Sequence, residues 1–204
     1  MEFVVIGSDA QWAELTADAP GISWTRAKEK DDLQNYASAA AFFILEDNAV
    51  FNNPAITQPV FINNVNTPLA GINAANNVFR VNGWNGFLKR TSWEIAGDAT
   101  MDLQPIAAAL NKKLLPVADE PGLVAGRIVA MIINEAYFTV GDGISGKAET
   151  DTAMKLGTNY PYGPFEWASI IGIQPIYSLL EKLTVTDKRY TPAPLLAGEA
   201  KENK

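Results

Sequence analysis

The sequence predicts an α/β-plus-α protein: a mainly parallel sheet domain over residues 1–118, then an all-helical domain over residues 119–204. Three observations predict it. Short apolar runs alternate with helix-spaced segments as far as Val117, the pattern of βαβ units. The stretch Ala118-Asp119-Glu120-Pro121-Gly122 is an acidic turn with two breakers, which sets the boundary. Beyond it, apolar residues recur at helical spacing.

Phe3–Ile6 reads as a short buried strand that ends at Gly7. Ala10–Asp18 reads as a helix, with Trp12 and Leu15 three apart on one face. Ile22–Thr25 is a second strand, and Asp31–Ala37 a helix started by Lys30-Asp31-Asp32. Ala39–Leu45, Val60–Asn63, Val78–Val81 and Trp93–Ala96 supply four more strands. Met101–Leu110 is spaced as a helix, and Lys113–Val117 is the last strand. Leu123–Phe138 is a helix that is apolar on nearly every face, so it is buried on several sides. Helices follow at Glu149–Leu156 and Trp167–Leu183, with a rigid turn, Tyr160–Phe165, between them. The tail from Thr191 is polar with two prolines, and its last residues are expected to be loose.

Composition narrows the chemistry. With 48% hydrophobic and 19% charged residues the chain can fill a core. Its net charge of −7 argues against nucleic acid, which calls for clustered Lys and Arg. Cysteine is absent, which removes disulfides and thiolate chemistry. Histidine is absent too, and with it the usual proton carrier near neutral pH and the commonest metal ligand. No metal site is therefore expected. Met1-Glu2-Phe3 lacks a basic leader, and the longest apolar run is too short to span a bilayer. A cytoplasmic protein with no membrane association is the expectation.

The motifs of the second half carry a specific pattern. Pro121-Gly122-Leu123 and Arg127 are followed by Asn134-Glu135-Ala136. Then come Asp151-Thr152-Ala153-Met154-Lys155-Leu156-Gly157 and Pro161-Tyr162-Gly163-Pro164-Phe165. In this order they resemble the C-terminal domain of the 3-hydroxyacyl-CoA dehydrogenase family. The resemblance implies a shortened Rossmann-like sheet domain, a helical domain that forms a homodimer, and an acyl-CoA ligand. It also implies that the part lying between strand two and Ala39–Leu45, including a helical extension that helps hold acyl-CoA, is nearly gone.

The family's functional positions fare differently. Of the G-x-G-x-x-G cradle for a dinucleotide, only Gly7 survives; Asp9 and Trp12 stand at the other two places. Asp9 either repels a pyrophosphate or serves as a helix N-cap, and Trp12 is read as a core aromatic. Arg26 either favours a 2′-phosphate or is a solvated surface residue. The family's catalytic His position holds Asn82, and Glu94, twelve residues on, matches the Glu that orients that His. Asn82 can donate a hydrogen bond but cannot accept a proton near pH 7. Glu94 either acts alone or is a structural carboxylate. Pro68 follows Asn66-Thr67 where the family has Ser, and Gly126 replaces an Asn. No cofactor is expected on this reading.

Three functions remain open at this point. One is a catalytically impaired, dimeric binding or scaffold module of acyl-CoA metabolism. The second is an NAD(P)-dependent oxidoreductase on a 3-hydroxyacyl-CoA or related hydroxy acid, with altered chemistry and NAD(H) bound. The third is a regulatory dimerisation partner of a full-length relative.

Overall fold

A seven-stranded sheet with the order β2-β1-β3-β4-β5-β6-β7 organises the first half of the chain. The structure, a computed structural model, describes residues 1–19 and 21–202. It contains two units, Met1–Leu123 and Val124–Lys204.

In the first unit the strands are β1 (Glu2–Ile6), β2 (Ser23–Arg26), β3 (Ala41–Ile44), β4 (Val60–Asn63), β5 (Val78–Val81), β6 (Ser92–Ala96) and β7 (Lys113–Pro116). The helices are α1 (Asp9–Thr16) and α2 (Gln104–Ala109), with 3₁₀ turns at Lys30–Asn35 and Leu69–Ile72. Every strand pair is parallel except β5 with β6. The predicted helix over 31–37 is thus a 3₁₀ turn, and the one over 101–110 begins only at Gln104, because Asp98 and Asp102 hold turns ahead of it.

Strands β3 and β4 are buried at every residue, as strands covered on both faces must be. Alternate residues feed two cores. One face carries Phe3, Phe43, Phe61 and Phe79, the other Val4, Phe42, Ile44 and Ile62. Register sets Phe43 opposite Phe61 and Phe61 opposite Phe79. Phe43 stacks on Phe61 at 4.9 Å and 9°, and Phe79 follows at 5.8 Å, so an aromatic row crosses the sheet. Gly97, just beyond β6, lies where a β-carbon would enter the Phe79 ring.

A charged residue sits in that sheet. Arg80 on β5 has no exposed surface, and all five of its N–H groups are used. Nε donates to Asn64 O (2.6 Å), Nη1 to Asp119 Oδ1 (2.5 Å) and Glu120 O (3.3 Å), and Nη2 to Val65 O (2.9 Å) and Glu120 O (3.3 Å). Asp119 Oδ2 accepts from Leu69 N at 2.7 Å, and Gly122 N donates to Val65 O at 2.7 Å. Burial pushes the guanidinium's affinity for its proton down, and the Asp119 carboxylate opposes that shift. The acidic turn is thereby strapped to the first unit, whose limit falls at Leu123. Gly122 and Leu123 both have positive φ, 86° and 49°, unusual for a buried leucine.

The second unit comprises α3 (Ala125–Gly141), α4 (Lys147–Thr158), α5 (Pro164–Ile171), α6 (Ile173–Thr184) and α7 (Pro194–Glu202). The predicted single helix over 167–183 is two helices, broken at Gly172 with φ 94°. The tail holds α7 as far as Glu202, where the sequence was read as polar chain; the loose end expected beyond it lies outside the described residues. Asn134, buried on α3, explains this order: its Nδ2 donates to Thr191 O (2.9 Å) and its Oδ1 accepts from Ala193 N (2.8 Å).

The other motifs also have architectural reasons. Asp151 Oδ1 accepts from Phe165 N at 2.8 Å and fills the space a β-carbon on Gly163 would need. Glu166 accepts from Gly163 N at 2.9 Å and pairs with Lys155. Tyr160 and Tyr162 pack on Trp167, and Phe165 on Tyr137, so the rigid turn is a packing element.

Glu199 on α7 accepts from Lys147 Nζ (2.5 Å) and Tyr137 Oη (2.7 Å). Desolvation raises its carboxyl, but the two hydrogen bonds and the lysine charge leave it below its ordinary 4.5. A depressed carboxyl stabilises the fold above its unfolded value and loses that contribution as pH falls through the folded one. Lys147→Met is therefore expected to destabilise the protein at pH 7 and to have a diminishing effect below about pH 4.5. Urea titrations at pH 7 and pH 3 measure this.

Candidate functional site

In an open parallel sheet, ligands enter beyond the carboxyl ends of the strands, where the chain changes direction across the sheet. Here that place lies between β1 and β3, because β2 adds on one side of β1 and β3 on the other. Gly7 and Ser8 leave β1 there, and Leu45 leaves β3.

The crevice is filled by Gln11. Its Nε2 donates to Leu45 O (2.5 Å) and Gly83 O (2.9 Å), and its Oε1 accepts from Ser8 N (3.0 Å). Ser8 Oγ accepts in turn from Gln11 N at 3.2 Å. The pair Ser8 and Gln11 is a capping box, so Ser8 is the N-cap of α1 and Asp9 is its first helical residue. The expectation of an Asp9 cap is corrected on this point: the serine hydroxyl reaches the third residue's N–H, and the aspartate faces out. A β-carbon on Gly7 would stand 3.1 Å from both Gln11 Oε1 and Leu45 Cβ. The close approach that glycine permits is used by the protein's own side chain.

Asp9 has 96% of its side chain exposed and pairs with Arg26 at 2.7 Å. Arg26 also lies 5.1 Å from the Trp12 ring centroid and donates to Gly7 O at 3.3 Å. Arg26 is exposed, as the surface reading expected, and forms a surface ion pair with Asp9. Trp12 packs against the core with Trp24, 6.3 Å away. These residues do not fit a bound dinucleotide. Its pyrophosphate would meet Asp9 and compete with Gln11 for the turn.

Asn63 extends the plug. Its Nδ2 donates to Leu45 O (3.1 Å) and Asp47 Oδ1 (3.0 Å), and its Oδ1 accepts from Gly83 N (3.0 Å). Gly83 has no room for a side chain, since a β-carbon would stand 2.8 Å from Asn63. Gln11 and Asn63 therefore tie the ends of β1, β3 and β5 into one polar knot.

Asn82 follows β5 directly. The antiparallel register of Val81 with Ile95, continued by one residue, sets Asn82 opposite Glu94, which is half-buried. Asn82 Oδ1 accepts from Trp84 N at 3.1 Å, which fixes the carboxamide's direction. Its Nδ2 is buried without a partner, as is Oδ1 of Asn66, and the two residues are only 9% and 8% exposed. Pro68 begins the 3₁₀ turn at Leu69, and Gly126 is buried on α3 in the second unit. The structure brings Gly7, through Gln11, to the backbone next to Asn82, with Glu94 across from Asn82. Asn82 cannot take a proton near pH 7, and its Nδ2, though unpartnered, has no exposed surface.

Two contributors escaped the sequence reading. Gln11 was legible as the last member of Ser8-x-x-Gln11, and Arg80 as a charge within an apolar strand run. Among the described residues no group of three or more His, Cys, Asp or Glu could hold a metal ion, and no helix is long and apolar enough to cross a membrane.

Comparison with known proteins gives a consistent set of relatives. Residues 122–204 match the family model described as 3-hydroxyacyl-CoA dehydrogenase, C-terminal domain. The 3-hydroxyadipyl-CoA dehydrogenase of Escherichia coli is 46% identical over 92 residues, covering 44% of this chain and 19% of that protein. The 3-hydroxybutyryl-CoA dehydrogenase of Clostridioides difficile is 35% identical over 115 residues, covering 55% of this chain and 41% of that protein. The chain thus spans less than half the length of these curated relatives. The crystal structure of (S)-3-hydroxybutyryl-CoA dehydrogenase from Ralstonia eutropha superposes with a TM-score of 0.73, covering 99% of this chain and 94% of that one at 16% identity. That similarity is one of fold.

Proposed function

Because residues 122–204 make this chain a divergent member of the 3-hydroxyacyl-CoA dehydrogenase family, we propose that it acts without turnover, as a dimeric binding or scaffold protein of acyl-CoA metabolism. The observation that carries this reading is Gln11, which occupies the dinucleotide crevice with three hydrogen bonds. Asn82 supports it. A carboxamide at the family's His position cannot accept a proton near pH 7, and loss of a positioned base costs on the order of 10²–10⁴ in rate.

Dimerisation is supported by the start of α3, where Ile128 and the N-cap Val124 are exposed at 54% and 48% while the helix's other flank is buried. A charge at Ile128 (Ile128→Glu) is expected to convert a dimer to a monomer in sedimentation equilibrium. An unchanged mass would move the interface elsewhere.

A second reading, an NAD(P)-dependent oxidoreductase with altered residues, is favoured by the retained opposition of Asn82 and Glu94. Calorimetric titration with NADH separates the two. No saturable heat is expected up to millimolar NADH; micromolar saturation would overturn the non-catalytic reading and make acetoacetyl-CoA turnover the next measurement.

A further inference from the structure

A cavity lies at the opposite end of β5 from Asn82, beyond the carboxyl ends of β6 and β7. Its volume is about 530 Å³, within the range of small-ligand sites. Phe79 and Ile95 belong to the buried core and form its floor, and Met101, Leu103 and Leu114 are the partly buried residues around them. Gly97 is part of the lining, and its missing β-carbon leaves the Phe79 ring in place beneath it.

The polar part of the lining has one sign. Asp98 and Asp102 are there, and no lysine or arginine is. Both carboxylates are fixed by local bonds that use one oxygen each. Asp98 Oδ1 accepts from Thr100 N (2.9 Å) and Thr100 Oγ1 (2.8 Å), and Asp102 Oδ1 from Gln104 N (3.0 Å). The bonds from Thr100 also hold the Asp98 carboxyl below its ordinary value, so it is ionised at neutral pH. A negative field at the mouth of an apolar cavity repels phosphates and carboxylates and draws in cations. Acyl-CoA and nucleotides are therefore the wrong occupants.

We propose that this cavity binds a small organic amine, its apolar or aromatic body against Phe79, Met101 and Leu103 and its ammonium group at Asp98 and Asp102. This is a site separate from the crevice at Gln11, and it stands whether or not the chain turns over a substrate.

Three probes of one skeleton test it: 2-phenylethylamine, 2-phenylethanol and phenylacetate, each titrated into the full chain. The methyl resonance of Met101, assigned by Met101→Leu, reports from inside the cavity. The amine is expected to saturate that signal with an affinity about tenfold above the alcohol's, and the carboxylate to be weaker still. In the doubly neutral variant Asp98→Asn with Asp102→Asn, the amine should fall to the alcohol's affinity while the alcohol's own is unchanged. Leu103→Trp, which fills the space, should abolish all three responses. Equal affinities for amine and carboxylate, a preference for the amine that survives both Asn substitutions, or no saturable shift of Met101 would overturn the proposal. Should Leu103→Trp fail to fold, the charge series and the Asn variants decide by themselves.

Discussion

Replacing Arg80 by methionine is expected to cost about 3–5 kcal/mol, because it breaks a buried, fully hydrogen-bonded charge pair. The methionine fills much of the volume but supplies none of the five N–H donors. Three carbonyls, of Asn64, Val65 and Glu120, lose an N–H donor, and Asp119 keeps only the Leu69 N–H. Each unpaired buried acceptor costs about 1–3 kcal/mol, partly relieved where water enters. Since domains have only about 5–15 kcal/mol in hand, the first unit should unfold at much lower urea. Four of the five tryptophans, Trp12, Trp24, Trp84 and Trp93, lie in that unit, so their fluorescence follows it. Asp119→Asn tests the source of the effect. It keeps an acceptor for Arg80 while removing the charge, and should cost less than Arg80→Met. Equal losses would mean that the ion pair, and not the hydrogen-bond set, holds the strap.

Phe43→Ala is expected to cost about 3–5 kcal/mol by a different route. Phe43 has no exposed surface and touches Phe3 at 5.5 Å, Trp24 at 6.2 Å, Phe61 at 4.9 Å and Trp93 at 6.4 Å between ring centroids. Truncation leaves a cavity at the crossing of four elements, and the sheet on either side cannot close over it without shifting strand register. Phe43→Leu, which keeps most of the volume, should cost less than half as much. Urea midpoints of the two variants give the comparison. A difference within error would show that the core collapses freely around position 43.

Most of the strands were legible because buried strands in a parallel sheet are near-continuous apolar runs, as Ala41–Ile44 is and as β4 is up to its last residue, Asn63. Shorter helices were less so. Lys30–Asn35 has the polar start of a helix but closes as a 3₁₀ turn, and the break at Gly172 is invisible when the surrounding spacing fits one long helix. Which residue types stand at positions 9, 12 and 82 could be read from the sequence alone. What fills the crevice could not. That Gln11 reaches Leu45 and Gly83, 34 and 72 residues away in sequence, follows from the sheet order, which spacing does not reveal. Likewise, Arg80 was visible as a charge in a strand, but its partners lie in two separate loops.

The closure by Gln11 has a consequence for how this chain can change. The same two side chains, Ser8 and Gln11, start helix α1 and stop the crevice. One substitution at position 11 removes the bonds to Leu45 O and Gly83 O together with the return bond from Ser8 N, while Ser8 Oγ still accepts from the backbone N–H of residue 11. The start of α1 and the filling of the crevice therefore change together, not one at a time.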